Sequence, residues 1–201
     1  MNAQSRKLIT GGLSKPSKMP GYAYNLPATE CKVGAKLVQV PGSVCHGCYA
    51  LKGRYRFPNV KEAMHRRLKS IDGPLWVETM AADINARKSK YFRWHDSGDI
   101  QSLAHLKKIF DVCKLTPDVA HWIPTRESGI LSKLGPEEVP ANLTIRLSAT
   151  MVDGNAPKSW PLTSTVVTEG ASCPAPKQGN ECKSCRNCWD KSIKNIAYGK
   201  H

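Results

Sequence analysis

The chain has 201 residues, 40% of them apolar, and its 30 Lys and Arg against 16 Asp and Glu give a formal charge of +14. That length supports one domain with its own core rather than two, and no stretch approaches the eighteen apolar residues that a membrane-spanning helix needs. The charge calls for an anionic partner, and the lack of repeats or low-complexity tracts argues against a solenoid or a long disordered arm.

Residues 1–20 are polar and basic, with Gly11, Gly12, Pro16 and Pro20, and read as a loosely ordered leading segment. Met1 to Gly12 holds no apolar core of signal-peptide length, so a cytoplasmic protein is expected. YAYNLP (22–27) reads as the first strand. Asn59 precedes VKEAMHRRLKS, whose Val60, Met64 and Leu68 recur at helical spacing. Pro74 opens a second helix through WVETMAADINAR, with Leu75, Val77, Met80, Ala81 and Ile84 on its apolar face. YFRWH (91–95) then reads as a strand, 102–115 as a helix, VAHWIP (119–124) as a strand, and 129–134 as a short helix. NLTIRLSAT (142–150) and STVVTEG (164–170) complete the series. Strands alternating with helices predict an α/β fold with mostly parallel strands. Four or five strands are too few for a closed eight-stranded barrel, so residues 21–170 are expected to form a partial, open βα barrel, followed by a Cys-rich C-terminal segment over 171–201. In such folds the ligand face lies at the carboxyl ends of the strands. Asp96, Ser97, Gly98, Asp99, Thr125, Arg126, Glu127, Ser128, Ser148 and Thr150 would lie there. Two structural roles compete with ligand binding: Asp99 capping the 102–115 helix, and Arg126 paired with Glu127 on a loop.

Eight cysteines in a protein expected in a reducing compartment point to metal ligation rather than disulfides. Cys182, Cys185 and Cys188 are each three residues apart, after Cys173–Pro174. Three such ligands with a distant fourth suit a cubane iron–sulfur cluster, 4Fe-4S, and zinc on the same four thiolates is the alternative. Cys31, Cys45 and Cys48 form a second group in the loop after the first strand. Three thiolates leave one metal position open, as a catalytic or substrate-binding centre requires; with His46 they would instead form a closed zinc knuckle. Cys113, inside a helix beside Phe110 and Val112, reads as a core residue. Lys52, Arg54, Arg56, Lys61, Arg66, Arg67 and Lys69, interleaved with Tyr55 and Phe57, would suit nucleic acid or another anionic partner; a solvated helix face is the alternative.

CHGCYALKGRYRF, RWHDSGDI, WIPTRES and CPAPKQGNECKSCRNCW resemble segments of the phage-encoded gene-product-88-like family across most of the chain. The resemblance implies a phage origin, hence the host cytoplasm, and iron–sulfur binding. More distantly, the layout is similar to radical S-adenosylmethionine (SAM) enzymes, which carry three cysteines after the first strand of a partial barrel. That likeness implies SAM on the open metal position, with Ser97, Gly98 or Asp99 accepting from its ammonium and Arg126 pairing with its carboxylate. Those enzymes commonly space the cysteines by three and two residues, whereas thirteen separate Cys31 from Cys45 here. Two classes of function follow: an iron–sulfur enzyme of unknown substrate, or a non-catalytic metal-stabilised module that binds nucleic acid or a host protein.

Overall fold

The computed structural model describes residues 1–200. β1 (Tyr22–Tyr24), β2 (Tyr91–Trp94), β3 (Ala120–Thr125), β4 (Leu143–Val152), β5 (Thr163–Val167) and β6 (Asn195–Gly199) form one sheet in chain order. Every neighbouring pair is parallel. The sheet is open between β1 and β6, and it has six strands rather than four or five. On the free edge of β1, Ser14 and Ala23 exchange two backbone hydrogen bonds of 2.8 Å, which covers donors and acceptors that would otherwise invite pairing.

The helices are α1 (Ala3–Thr10), α2 (Lys32–Leu37), α3 (Pro58–Ser70), α4 (Trp76–Ala86), α5 (Leu103–Lys114) and α6 (Ser128–Leu131). Pro58 sits in the first turn of α3, where its missing N–H costs nothing. Ser102 caps α5 by accepting from the His105 amide at 3.0 Å. The leading segment contains a helix that the polar composition hid: Asn2 caps α1, Gly11 ends it at φ 78°, and Arg6 reaches the buried Asp83 of α4 at 3.1 Å.

The apolar core lies on one face of the sheet. Phe92, Trp94, Ile123, Leu143, Ile145 and Leu147 meet Trp76, Met80 and Ile84 of α4 and Leu106, Ile109 and Cys113 of α5. Because side chains alternate along a strand, Arg93, Trp122, Thr144 and Arg146 fall on the other face. Tyr24 anchors the core: its hydroxyl donates to the Thr10 carbonyl (2.6 Å) and accepts from Trp76 Nε1 (3.2 Å). His95 leaves the alternation of β2 with a left-handed φ of 58°, and its Nδ1 lies 3.2 Å from the Tyr24 carbonyl. Among the described residues no helix is long and apolar enough to cross a membrane.

Candidate metal centre

All six strands run one way, so the loops after β1, β2, β3 and β4 open on one edge. Leu26 N donates to the Ser97 carbonyl at 2.9 Å, and Ser97 Oγ returns a bond to Leu26 O at 2.8 Å. Gly98 follows at φ 76°, where a Cβ would stand 2.6 Å from Leu26 Cβ; only glycine lets the two loops approach this closely. Asp99 is buried. Its Oδ1 accepts from Thr125 Oγ1 (2.6 Å) and Ile100 N (2.8 Å), and its Oδ2 from Arg126 N (2.9 Å). Burial pushes its pKa up to about 6 against these stabilising bonds.

Both structural roles expected for this edge are corrected. Asp99 does not cap α5, because Ser102 does; Asp99 instead ties the loop after β2 to the loop after β3. Glu127 does not pair with Arg126. Its Oε1 accepts from Lys32 N (3.2 Å) and Val33 N (3.0 Å), the free amides that open α2 immediately after Cys31. Arg126 gives Nε to the Ala149 carbonyl at 3.2 Å. Glu127 therefore positions Cys31, a role that sequence spacing cannot reveal across ninety-odd intervening residues.

Cys31 and Cys45 are brought together around Gly34. A Cβ there would lie 3.6 Å from each of the two sulfurs and 2.9 Å from Cys31 Cβ, so the glycine leaves room between the thiols. The loop carrying Cys45 and Cys48 is pinned to the end of β4 by Val44 N to Thr150 O (2.9 Å) and Val152 N to Gly42 O (3.0 Å). Burial pushes the Cys31 thiol well up, with Asp99, Cys48, Cys45 and Glu127 adding to the effect. Burial also raises Cys45, opposed by the Arg126 charge. Cys31 and Cys45 thus share one electrostatic environment with Cys48 and Asp99, and these two thiols hold their protons unless a cation displaces them. His46 is exposed, with Nδ1 3.0 Å from the Val38 carbonyl.

The tail lies on the face opposite the helices. Arg146, fully buried, donates Nε to Cys188 O (3.1 Å), Nη1 to Ile193 O (2.8 Å) and Thr163 O (3.4 Å), and Nη2 to Asn187 O (3.1 Å) and Asp190 O (2.7 Å). Trp189 packs edge-on against Tyr91 and Trp122 and donates Nε1 to the Phe92 carbonyl at 3.0 Å. Cys173 N bonds Ala197 O at 3.0 Å, Cys182 N bonds Lys18 O at 2.9 Å, and Cys188 Sγ lies 3.1 Å from the Tyr198 hydroxyl. Burial raises Cys182, with Cys173 and Cys185 adding to it. Burial also takes Cys188 up to about 11, against the Tyr198 hydrogen bond. The four tail cysteines are therefore neighbours.

Among the described residues no three His, Cys, Asp or Glu side chains converge as a ready-made metal cage. The donor sets nevertheless suit soft metals or iron–sulfur clusters: each is all thiol, and the upstream one has a glycine gap between its sulfurs. A cleft of about 760 Å³ lies elsewhere, between α1, α3 and α4, and is lined by Lys7, Arg66, Arg67 and Arg87. It holds no cysteine, and its arginines are engaged with Gly11 O, Gly12 O and Asp83. Arg67, expected on the basic surface, is buried there. Lys52, Arg54, Arg56, Lys61 and Lys69 are exposed, as is Phe57.

Fold and site together define an α/β protein with an open, all-parallel sheet, one cysteine group at the carboxyl edge of its strands and another crossing its helix-free face. The model of the family described as Gene product 88 matches residues 1–191, and the chain belongs to that family. No curated protein and no solved structure matches it.

Proposed function

We propose that this is an iron–sulfur protein in which Cys31, Cys45 and Cys48 hold a 4Fe-4S cluster with one iron position open to a ligand, and Cys173, Cys182, Cys185 and Cys188 hold a second, closed centre. The observation that carries this reading is the grouping of Cys31 and Cys45 around Gly34, beside Asp99, Arg126 and Glu127 at the carboxyl edge of a parallel sheet. When bound, such a cluster supplies electron transfer and a Lewis-acidic iron. The chain's own residues have separate tasks. Glu127 holds α2 and hence Cys31; Asp99 locks the loops after β2 and β3; Arg126, with only Nε engaged, keeps two amino groups for a carboxylate. A SAM ligand would place its carboxylate there. Ser97 gives its hydroxyl to Leu26 and Gly98 serves loop packing, so the accepting role toward an ammonium falls to the remaining lone pairs of Asp99.

Protein purified without oxygen should be brown and contain iron and acid-labile sulfide. Stoichiometric zinc without sulfide, from iron-replete anaerobic cells, would overturn the proposal and leave the zinc-stabilised module.

A second reading concerns partners. Phe57 is 55% exposed beside exposed Arg54 and Arg56, a cation and aromatic pairing suited to single-stranded nucleic acid. Affinity should fall steeply with salt, and Arg54→Ala with Arg56→Ala should lessen that slope. No binding at low salt would leave a solvated face.

A further inference from the structure

Three polar atoms around the helix-free face of the sheet lack hydrogen-bond partners: Arg93 Nε, Trp122 Nε1 and Asp96 Oδ1. The Arg93 guanidinium lies over the Trp122 ring, 4.6 Å from its centroid, and on its other sides it has the Asp96 carboxylate and the neutral phenols of Tyr49, Tyr55 and Tyr198 close by. Trp122 is 5% and Asp96 7% exposed, and Arg93 is half-buried. Buried donors and acceptors are rarely left unpaired without a reason.

Among the described residues Arg93 has no direct carboxylate partner, although it hydrogen-bonds Tyr49 and its charge reaches the Cys182 and Cys188 thiols. Its Nη1 has a thioether partner, Met19 Sδ at 3.7 Å. Asp96 is held a short way off: its Oδ2 accepts from the Tyr55 hydroxyl at 3.2 Å, and its carbonyl accepts from Tyr49. Tyr49 follows Cys48 in the chain, and Tyr198 touches Cys188. The unpaired atoms therefore lie between the two cysteine groups.

We propose that this is a binding pocket for a small carboxylate carrying an adjacent hydrogen-bond donor, an α-hydroxy or α-amino acid. Its carboxylate takes the two free donors, Arg93 Nε and Trp122 Nε1, with the charge of the guanidinium behind them. Its hydroxyl or amine donates to Asp96 Oδ1. A phosphate fits less well, because its second negative charge would face Asp96. The pocket is built from side chains that are not metal ligands, but the Arg93 charge also reaches Cys182 and Cys188 of the tail centre, so ligand binding and iron have to be read on one sample.

The test is equilibrium dialysis of the full chain, purified without oxygen, against radiolabelled glycolate, acetate and inorganic phosphate, with iron and sulfide assayed on the same sample. One saturable glycolate site per chain is expected, with acetate about 10-fold weaker for want of the bond to Asp96 and phosphate weaker than glycolate. Arg93→Gln should weaken glycolate by about 10- to 100-fold, and Arg93→Lys, which keeps the charge and guards against a variant that fails to fold, by about 10-fold. Absence of a saturable site, phosphate binding tighter than glycolate, or glycolate binding unchanged in both Arg93 variants would each overturn the pocket. So would loss of iron in both variants with glycolate binding retained, which would make Arg93 the counter-charge of a cysteine centre. Glycolate binding without iron would refute the cluster and keep the pocket.

Discussion

Replacing Arg146 with Met tests how the tail is held against the sheet. The guanidinium serves five carbonyls, four of them in the segment 187–193. Met has similar reach and no donors, so every one of those bonds is lost and no charge is stranded. Asn187 and Asp190 are exposed, and their carbonyls recover water. The carbonyls of Cys188, Ile193 and Thr163 lie in less exposed residues, and at about 1–2 kcal/mol each for an acceptor left unmade, the cost is about 3–6 kcal/mol. For a chain of this size that is about 10–20 °C in Tm. The assay is thermal unfolding followed by circular dichroism, paired with hydrogen exchange of the 182–193 amides. Arg146→Lys, with one ammonium in place of a fork, should fall between the two proteins. A Tm within about 2 °C of the parent, or a large loss with no added exchange in the tail, would refute the clamp.

Gly34→Ala should strip metal from the upstream cysteines and spare the tail, because its methyl enters the gap between Cys31 and Cys45; metal analysis beside the parent checks this. Asp99→Asn sets an amide N–H₂ among groups that donate, and should cost about 2 kcal/mol in urea unfolding. Stability should fall on acidification from pH 6.5. Burial holds His95 and His121 at about 3 and His105 well below its ordinary value, so the unfolded chain binds protons first, at up to about 1.4 kcal/mol per pH unit for each imidazole. The raised Asp99, at about 6, works in the opposite sense: its contribution is full below the unfolded carboxylate value and lost as pH rises through 6. Three imidazoles outweigh it between pH 6.5 and 5. The raised Asp96 opposes the slope as Asp99 does; the urea midpoint should still drop over that range, and His121→Gln should remove more than a third of the net slope, whereas a flat midpoint would contradict the assignment.

Strands β1 to β5 and helices α3 to α5 were legible because their apolar residues recur with the period of the element they form. NIAYG (195–199) was not: it is short, flanked by lysines, and gains its place only by pairing with β5. α1 has too few apolar residues to announce a face, and α2 is six residues with a glycine inside. The strand ends were readable as a site because Asp-Ser-Gly-Asp and Thr-Arg-Glu-Ser follow strand-like runs. The roles inside them were not, since Glu127 reaching α2 and Asp99 reaching Thr125 are contacts between distant parts of the chain. Arg93 and Arg146 looked like ordinary polar positions of alternating strands; what each touches on the helix-free face depends on how the tail returns across it.

Iron and sulfide counts with electron paramagnetic resonance on reduced Cys48→Ala and Cys185→Ala, prepared anaerobically beside Cys113→Ala, test the two-centre proposal most directly. Cys113 is fully buried in the core, so its variant should match the parent spectrum and lose only packing energy. Cys48→Ala should lose one signal and its iron with a small change in Tm, and Cys185→Ala should lose a different signal together with folding stability. Loss of the same signal in both variants would mean a single shared centre and would contradict the proposal.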